Sequence, residues 1–138
     1  MGTALGAKLA APERTVIATL GDGCYMFSVP SACHYASNAY DLPILVIVFN
    51  NQSYKSVQRG TRHVHPDGWA ARSNRFPLSD LAAPTSYEKI CEAFGGYGER
   101  VEDPDQVAPA LQRALRVVRE EKRQAVLHMV CKQQLGAI

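Results

Sequence analysis

The chain has 138 residues, of which 46% are hydrophobic and 20% charged, and its formal net charge is +2. That length suits one domain with a buried core, and the balance is that of a globular rather than a disordered protein. The weak charge, with Lys and Arg scattered outside a stretch from Arg113 to Arg123, argues against a nucleic-acid partner. The longest apolar run is strand-sized, well short of the ~20 residues a spanning helix needs. No basic-then-apolar leader opens the chain, so a cytoplasmic, membrane-free protein is expected. Cys24, Cys33, Cys91 and Cys131 are widely spaced without a Cys-x-x-Cys pair, which predicts reduced thiols.

In chain order, residues 1–11 read as a helix with Leu5 and Leu9 four apart, broken by Pro12. Thr15 to Leu20 reads as a strand. Ser28 is expected to cap a helix reaching Tyr40, with Pro30 in its first turn. Leu42-Pro43 ends it, and the wholly apolar run Ile44 to Phe49 predicts a strand buried on both faces. Residues 53–77 show no sustained periodicity and are expected to be irregular, with Trp69 as a packing anchor. Ser86 to Phe94 reads as a helix stopped by Gly95-Gly96. A short strand, Tyr97 to Val101, follows, then a helix from Pro104 to Glu121 with Val107, Leu111, Leu115 and Val118 on one face. Ala125 to Cys131 closes the order as a strand. The alternation predicts an α/β fold: three layers, a mainly parallel sheet with helices on both faces.

Two strand ends carry unusual chemistry. Gly21-Asp22-Gly23 follows the first strand, and Asn50-Asn51 ends the second. In open parallel sheets, ligands bind beyond the carboxyl ends of the strands. A carboxylate between glycines beside side-chain amides suits a hard cation such as magnesium carrying a phosphate-bearing partner. A Rossmann reading fails, because Met26 stands where a third glycine belongs and no acidic residue ends the next strand.

Gly21-Asp22-Gly23-Cys24-Tyr25-Met26-Phe27, Tyr40-Asp41-Leu42-Pro43-Ile44-Leu45, Val48-Phe49-Asn50-Asn51-Gln52-Ser53-Tyr54 and Ile90-Cys91-Glu92-Ala93-Phe94-Gly95-Gly96 together resemble one family. It is the diphosphate-binding domain of thiamine-diphosphate enzymes, in the group of acetolactate synthase, benzoylformate decarboxylase and glyoxylate carboligase. The resemblance implies that Asp22, the Asn51 side chain and the Ser53 carbonyl ligate magnesium. It also implies that Gly21, Gly23, Cys24, Tyr25 and Tyr54 line the cofactor, with backbone N–H groups of Gly23, Cys24 and Tyr25 on phosphate oxygens.

The same resemblance implies partners and limits. The family's catalytic glutamate lies on a pyrimidine-binding domain, of the same or another subunit, that is not in this sequence; no catalytic residue is expected here. The chain is accordingly expected to be the C-terminal piece of a longer homo-oligomeric enzyme, a dimer or tetramer, acting on a small 2-oxo acid as decarboxylase or carboligase. Alone it is expected to be inactive. The alternative is a non-catalytic interaction domain that keeps the fold and pairs with a partner subunit.

Blander readings attach to several residues. His63 and His65 lack a third ligand and are expected at the surface. His34 reads as a helix-face residue, and Cys24 as useful for its backbone rather than its thiol. Asn50 is expected to position Asn51 rather than to ligate. The arginines of the last helix read as a solvated face.

Overall fold

The computed structural model describes residues 1–81, 83 and 85–132. Its four strands are β1 (Ile17–Gly21), β2 (Leu45–Asn50), β3 (Tyr97–Val101) and β4 (Ala125–Val130). They form one all-parallel sheet in the order β1-β2-β4-β3. The helices are α1 (Gly2–Ala10), α2 (Asp22–Phe27), α3 (Pro30–Ala39), α4 (Lys55–Val64), α5 (Trp69–Ser73), α6 (Tyr87–Glu92) and α7 (Val107–Arg119).

Alternation along β2 builds the layers, because successive side chains point to opposite faces. Ile44, Val46 and Val48 join Leu5, Tyr25, Tyr87, Cys91 and Val126 in one core, under α1, α3 and α6. Leu45 and Ile47 join Val101, Ala110, Ala114, Val118, Leu127 and Met129 in the other, under α7. The small residues Ala110 and Ala114 let α7 lie close to the sheet. The three-layer parallel arrangement expected from the alternation is therefore the one formed. On the α7 side the sheet is covered unevenly: Ile17 of β1 and Phe49 of β2 remain exposed.

Several local expectations need correction. Residues 53–77 are not irregular, since they hold α4 and α5; α4 buries only Gln58 and α5 buries nothing, so neither has an apolar stripe to betray it. Trp69 is exposed and anchors no packing. Ser28 does not cap α3: its hydroxyl donates to the Tyr25 carbonyl, and Val29, in the left-handed region at φ 50°, is the N-cap. The last helix opens as a 3-10 turn over Pro104–Gln106, where the Asp103 carboxylate accepts the Asp105 N–H, and only then becomes α7. The α7 arginines form a solvated face as expected, on which Arg113 pairs with Glu99 of β3 and Arg119 bonds the Thr15 hydroxyl.

His34 is buried rather than displayed on a helix face. The Gln124 amide donates to the carbonyls of His34 and Phe94, which turns its oxygen toward His34 Nδ1 at 2.7 Å. The ring's Nδ1–H therefore donates there, and Nε2 accepts from the Tyr25 hydroxyl at 2.7 Å. Burial lowers the His34 pKa below its ordinary value. The unfolded chain then binds a proton first on acidification, so this site's stability is complete above pH ~6.5 and is lost as pH falls toward the folded value. Urea denaturation between pH 7.5 and 5 is expected to show that loss, and His34→Asn to flatten it; an unchanged slope in the variant contradicts the assignment.

Candidate diphosphate and metal site

Gly21 stands opposite Phe49 in the β1–β2 register, so Asp22 and the Asn50-Asn51 pair leave adjacent strand tips side by side. No Gly-Asp-Gly turn intervenes. β1 runs through Gly21, and Asp22 is the first residue of α2. The Asp22 side chain is 2% exposed. Its Oδ1 accepts the Gly23 N–H at 2.9 Å, and its Oδ2 is the one buried side-chain oxygen among the described residues without a partner. Burial raises the Asp22 pKa above the ordinary aspartate value, opposed by the backbone N–H groups of Gly23, Gln52 and Ser53 that face the carboxylate.

The chain after β2 coils tightly. The Asn50 Oδ1 accepts the Gln52 N–H, and the Asn51 Oδ1 accepts the Ser53 N–H, each at 3.0 Å. These two overlapping side-chain turns carry Gln52 at φ 59°, in the left-handed region. The turn is clamped from outside by residues 79–81: Tyr54 N–H donates to the Ser79 carbonyl, and Leu81 N–H to the Gln52 carbonyl, both at 2.8 Å. This bridge between Ser53 and Asp80 leaves the Ser53 carbonyl uninvolved in either bond. Gln58 braces it through Ser79 Oγ at 3.0 Å.

The glycines differ in purpose. A Cβ on Gly23 would stand 2.3 Å from Cε1 of Tyr54, so the absent side chain makes room for that ring, which also stacks near Phe27. A Cβ on Gly21 would meet nothing within 4 Å, leaving open space beside the strand tip. Tyr25 is wholly buried and its hydroxyl is committed to His34, so its side chain is not available to a ligand. Cys24 is exposed. Asn51 and Ser53 line a cavity of about 250 Å³ with Lys55, Cys131 and Lys132. His63 and His65 are exposed, and no cluster of three His, Cys, Asp or Glu side chains that could hold a metal exists among the described residues.

The Asp22 carboxylate, the Asn51 amide oxygen and the Ser53 carbonyl are all oxygen donors, the type a hard divalent cation takes in preference to a soft one. The Asn51 oxygen also accepts from the Ser53 N–H and hydroxyl. The model of the family described as thiamine pyrophosphate enzyme, C-terminal TPP binding domain, matches residues 1–129, and the chain belongs to that family. It is thus a thiamine-diphosphate-binding domain of thiamine-diphosphate-dependent enzymes.

Among relatives, the chain is 35% identical over 143 residues to 2-hydroxyacyl-CoA lyase of Oryza sativa subsp. japonica, covering 99% of this chain and 22% of the relative. It is 29% identical over 134 residues to sulfoacetaldehyde acetyltransferase of Alcaligenes xylosoxydans xylosoxydans, covering 97% and 21%. Benzoylformate decarboxylase from Polynucleobacter necessarius shares the fold at a TM-score of 0.74 and 20% identity, covering 99% of this chain and 23% of that structure. The chain spans about a fifth of the length of the curated relatives it matches.

Two participants escaped the sequence reading. Glu88 and His128 lie buried behind the Asn50–Ser53 turn and join it by hydrogen bonds. No spacing or motif marks either residue.

Proposed function

We propose that this chain anchors the diphosphate of thiamine diphosphate through magnesium, as the C-terminal part of a longer enzyme that decarboxylates or ligates a small 2-oxo acid. The observation that carries the reading is the buried, unpartnered Oδ2 of Asp22 beside the Asn51–Ser53 turn. A buried anionic oxygen without a donor is costly, and a divalent cation offsets it. Asp22, Asn51 and Ser53 would hold the ion. The open space beside Gly21 and the early N–H groups of α2 would face the diphosphate. When bound, the cofactor supplies an electron sink at the reacting carbon. This chain's share is to bind and orient: the Asp22 charge balances the cation, the clamped turn keeps two neutral oxygens in place, and Tyr54 packs against Gly23.

The substrate class follows the family group rather than any residue here, and the proton-transferring glutamate belongs to a separate pyrimidine-binding domain. A further relative, 28% identical over 119 residues, is named acetolactate synthase isozyme 3 large subunit of Escherichia coli (strain K12), in keeping with assembly from several chains. Calorimetric titration of the full-length protein with thiamine diphosphate should show binding that requires magnesium and disappears with a chelator. Metal-independent binding, or none, overturns the reading. The 138-residue chain alone is expected to give no turnover of 2-oxo acids, and robust turnover would contradict the assigned division of labour.

A further inference from the structure

Behind the ligand turn runs a buried line of polar groups that metal binding does not use directly. Glu88 of α6, His128 of β4 and Asn50 at the tip of β2 are 6%, 0% and 5% exposed. The Glu88 Oε2 lies 2.7 Å from His128 Nδ1, and His128 Nε2 lies 2.8 Å from Asn50 Nδ2. Asn50 Oδ1 in turn accepts the Gln52 N–H at 3.0 Å.

The direction of every bond follows from the last one. With its oxygen turned to the Gln52 N–H, Asn50 presents its NH2 to the histidine. An amide NH2 only donates, so His128 Nε2 is a bare acceptor and the ring's proton sits on Nδ1, aimed at the Glu88 carboxylate. The Tyr87 ring meets His128 edge-on, with centroids 5.0 Å apart, and closes that side. Three side chains from three elements thus form one line in which every donor points toward the carboxylate, from the Gln52 backbone amide through Asn50 and His128 to Glu88.

That amide belongs to Gln52, the left-handed residue between the two ligand-bearing positions. Replacing a buried carboxylate–imidazole pair by apolar side chains is often neutral or stabilising, so core stability alone is a poor account of it. Its distinctive product is a fixed orientation for the Asn50 side chain and hence for the coil after it. Outer partners of this kind hold metal ligands in their binding geometry.

We propose that Glu88 and His128 are positioning residues which act through Asn50 to hold the Asn51–Ser53 turn in its cation-binding shape. The inference rests on the magnesium-anchoring reading. Its test is magnesium titration of the full-length protein with saturating thiamine diphosphate, read by calorimetry alongside the melting temperature. His128→Phe should weaken magnesium binding about 10- to 100-fold. Val118→Ala, which opens the core on the α7 side, should lower the melting temperature while leaving the affinity unchanged. Glu88→Gln keeps an acceptor for the Nδ1–H and should restore near-parental affinity. Should His128→Phe not fold, Glu88→Leu takes its place, with the same expected loss because the ring can then move its proton to Nε2.

The tautomer is read independently, from long-range proton–nitrogen NMR of the ligand-free protein, where His128 should carry its proton on Nδ1. A proton on Nε2, or His128→Phe and Val118→Ala losing affinity only in proportion to stability, overturns the proposal. If the parent binds no magnesium, the anchoring reading fails first. Hydrogen exchange at the Gln52 amide then decides the relay: it should accelerate in His128→Phe and not in Val118→Ala, and equal exchange in both overturns it.

Discussion

Asp22→Asn should melt no lower than the parent without ligands, yet lose all of the stabilisation that magnesium and thiamine diphosphate confer. Most substitutions at a 2% exposed position destabilise. This one leaves a polar atom at the unpartnered Oδ2 position but makes it neutral, and an unpaired buried charge costs more than the about 1–3 kcal/mol of an unpaired neutral group. The neutral amide keeps the shape and an acceptor for the Gly23 N–H. Linkage gives the same sign. The folded Asp22 carboxyl titrates above its unfolded value, so the folded chain holds its proton longer. Stability at this site accordingly falls as pH rises through the folded pKa and returns on acidification, and the variant should lack that slope. With ligand at a hundred times Kd, the parent should gain about 2.7 kcal/mol. Differential scanning calorimetry with and without cofactor and metal separates the two effects. An Asp22→Asn protein that still gains the full ligand-induced increment would sink the metal assignment.

Gly98→Ala is expected to be the most damaging single-methyl change in the sheet. The new Cβ would stand 2.4 Å from the Glu88 carbonyl oxygen and 2.9 Å from its carbon. Both are backbone atoms, so no rotamer change relieves the contact and α6 must lift from β3. Overpacking of well-packed sites costs typically about 1–3 kcal/mol, and this backbone contact should place the loss near 3 kcal/mol. Lifting α6 also drags Tyr87 and Cys91 out of the core and pulls Glu88 from His128. Urea titration should show a lower midpoint at unchanged slope, and magnesium affinity should fall with it. A loss below about 1 kcal/mol would mean that α6 yields more easily than its packing against Gly98 implies.

The strands and the larger helices were legible because their patterns are local. β2 is a continuous apolar run, and α7 keeps the expected three-to-four-residue period, but the face it buries is Ala110, Ala114, Val117 and Val118. Of the expected Val107, Leu111, Leu115 and Val118, Val107 is exposed and the two leucines are half-buried at the edge of the core. The same logic explains what was missed. α4 buries a single glutamine, held by Ser79 and Asp80 rather than by a core, so no apolar period announces it. Gly21-Asp22-Gly23 holds residue types that favour turns, but pairing of β1 with β2 extends through Gly21 and leaves Asp22 to open α2. Gly23 reads as clearance for a ligand; the nearest atoms a side chain would strike belong to Tyr54.

By itself, the order of residues determined which chemistry reaches the strand tips: one carboxylate after β1, two amides at the end of β2, and apolar stretches long enough to bring those tips level. Those are short-range facts, written in runs of five or six residues. Only tertiary structure decided how that chemistry is held. Glu88 meets His128 across 40 positions and His128 meets Asn50 across 78, and β4 stands next to β2 only because the strand order places it there. Burial then does the rest, since a desolvated carboxylate with one unpaired oxygen acquires its meaning from the groups folded around it.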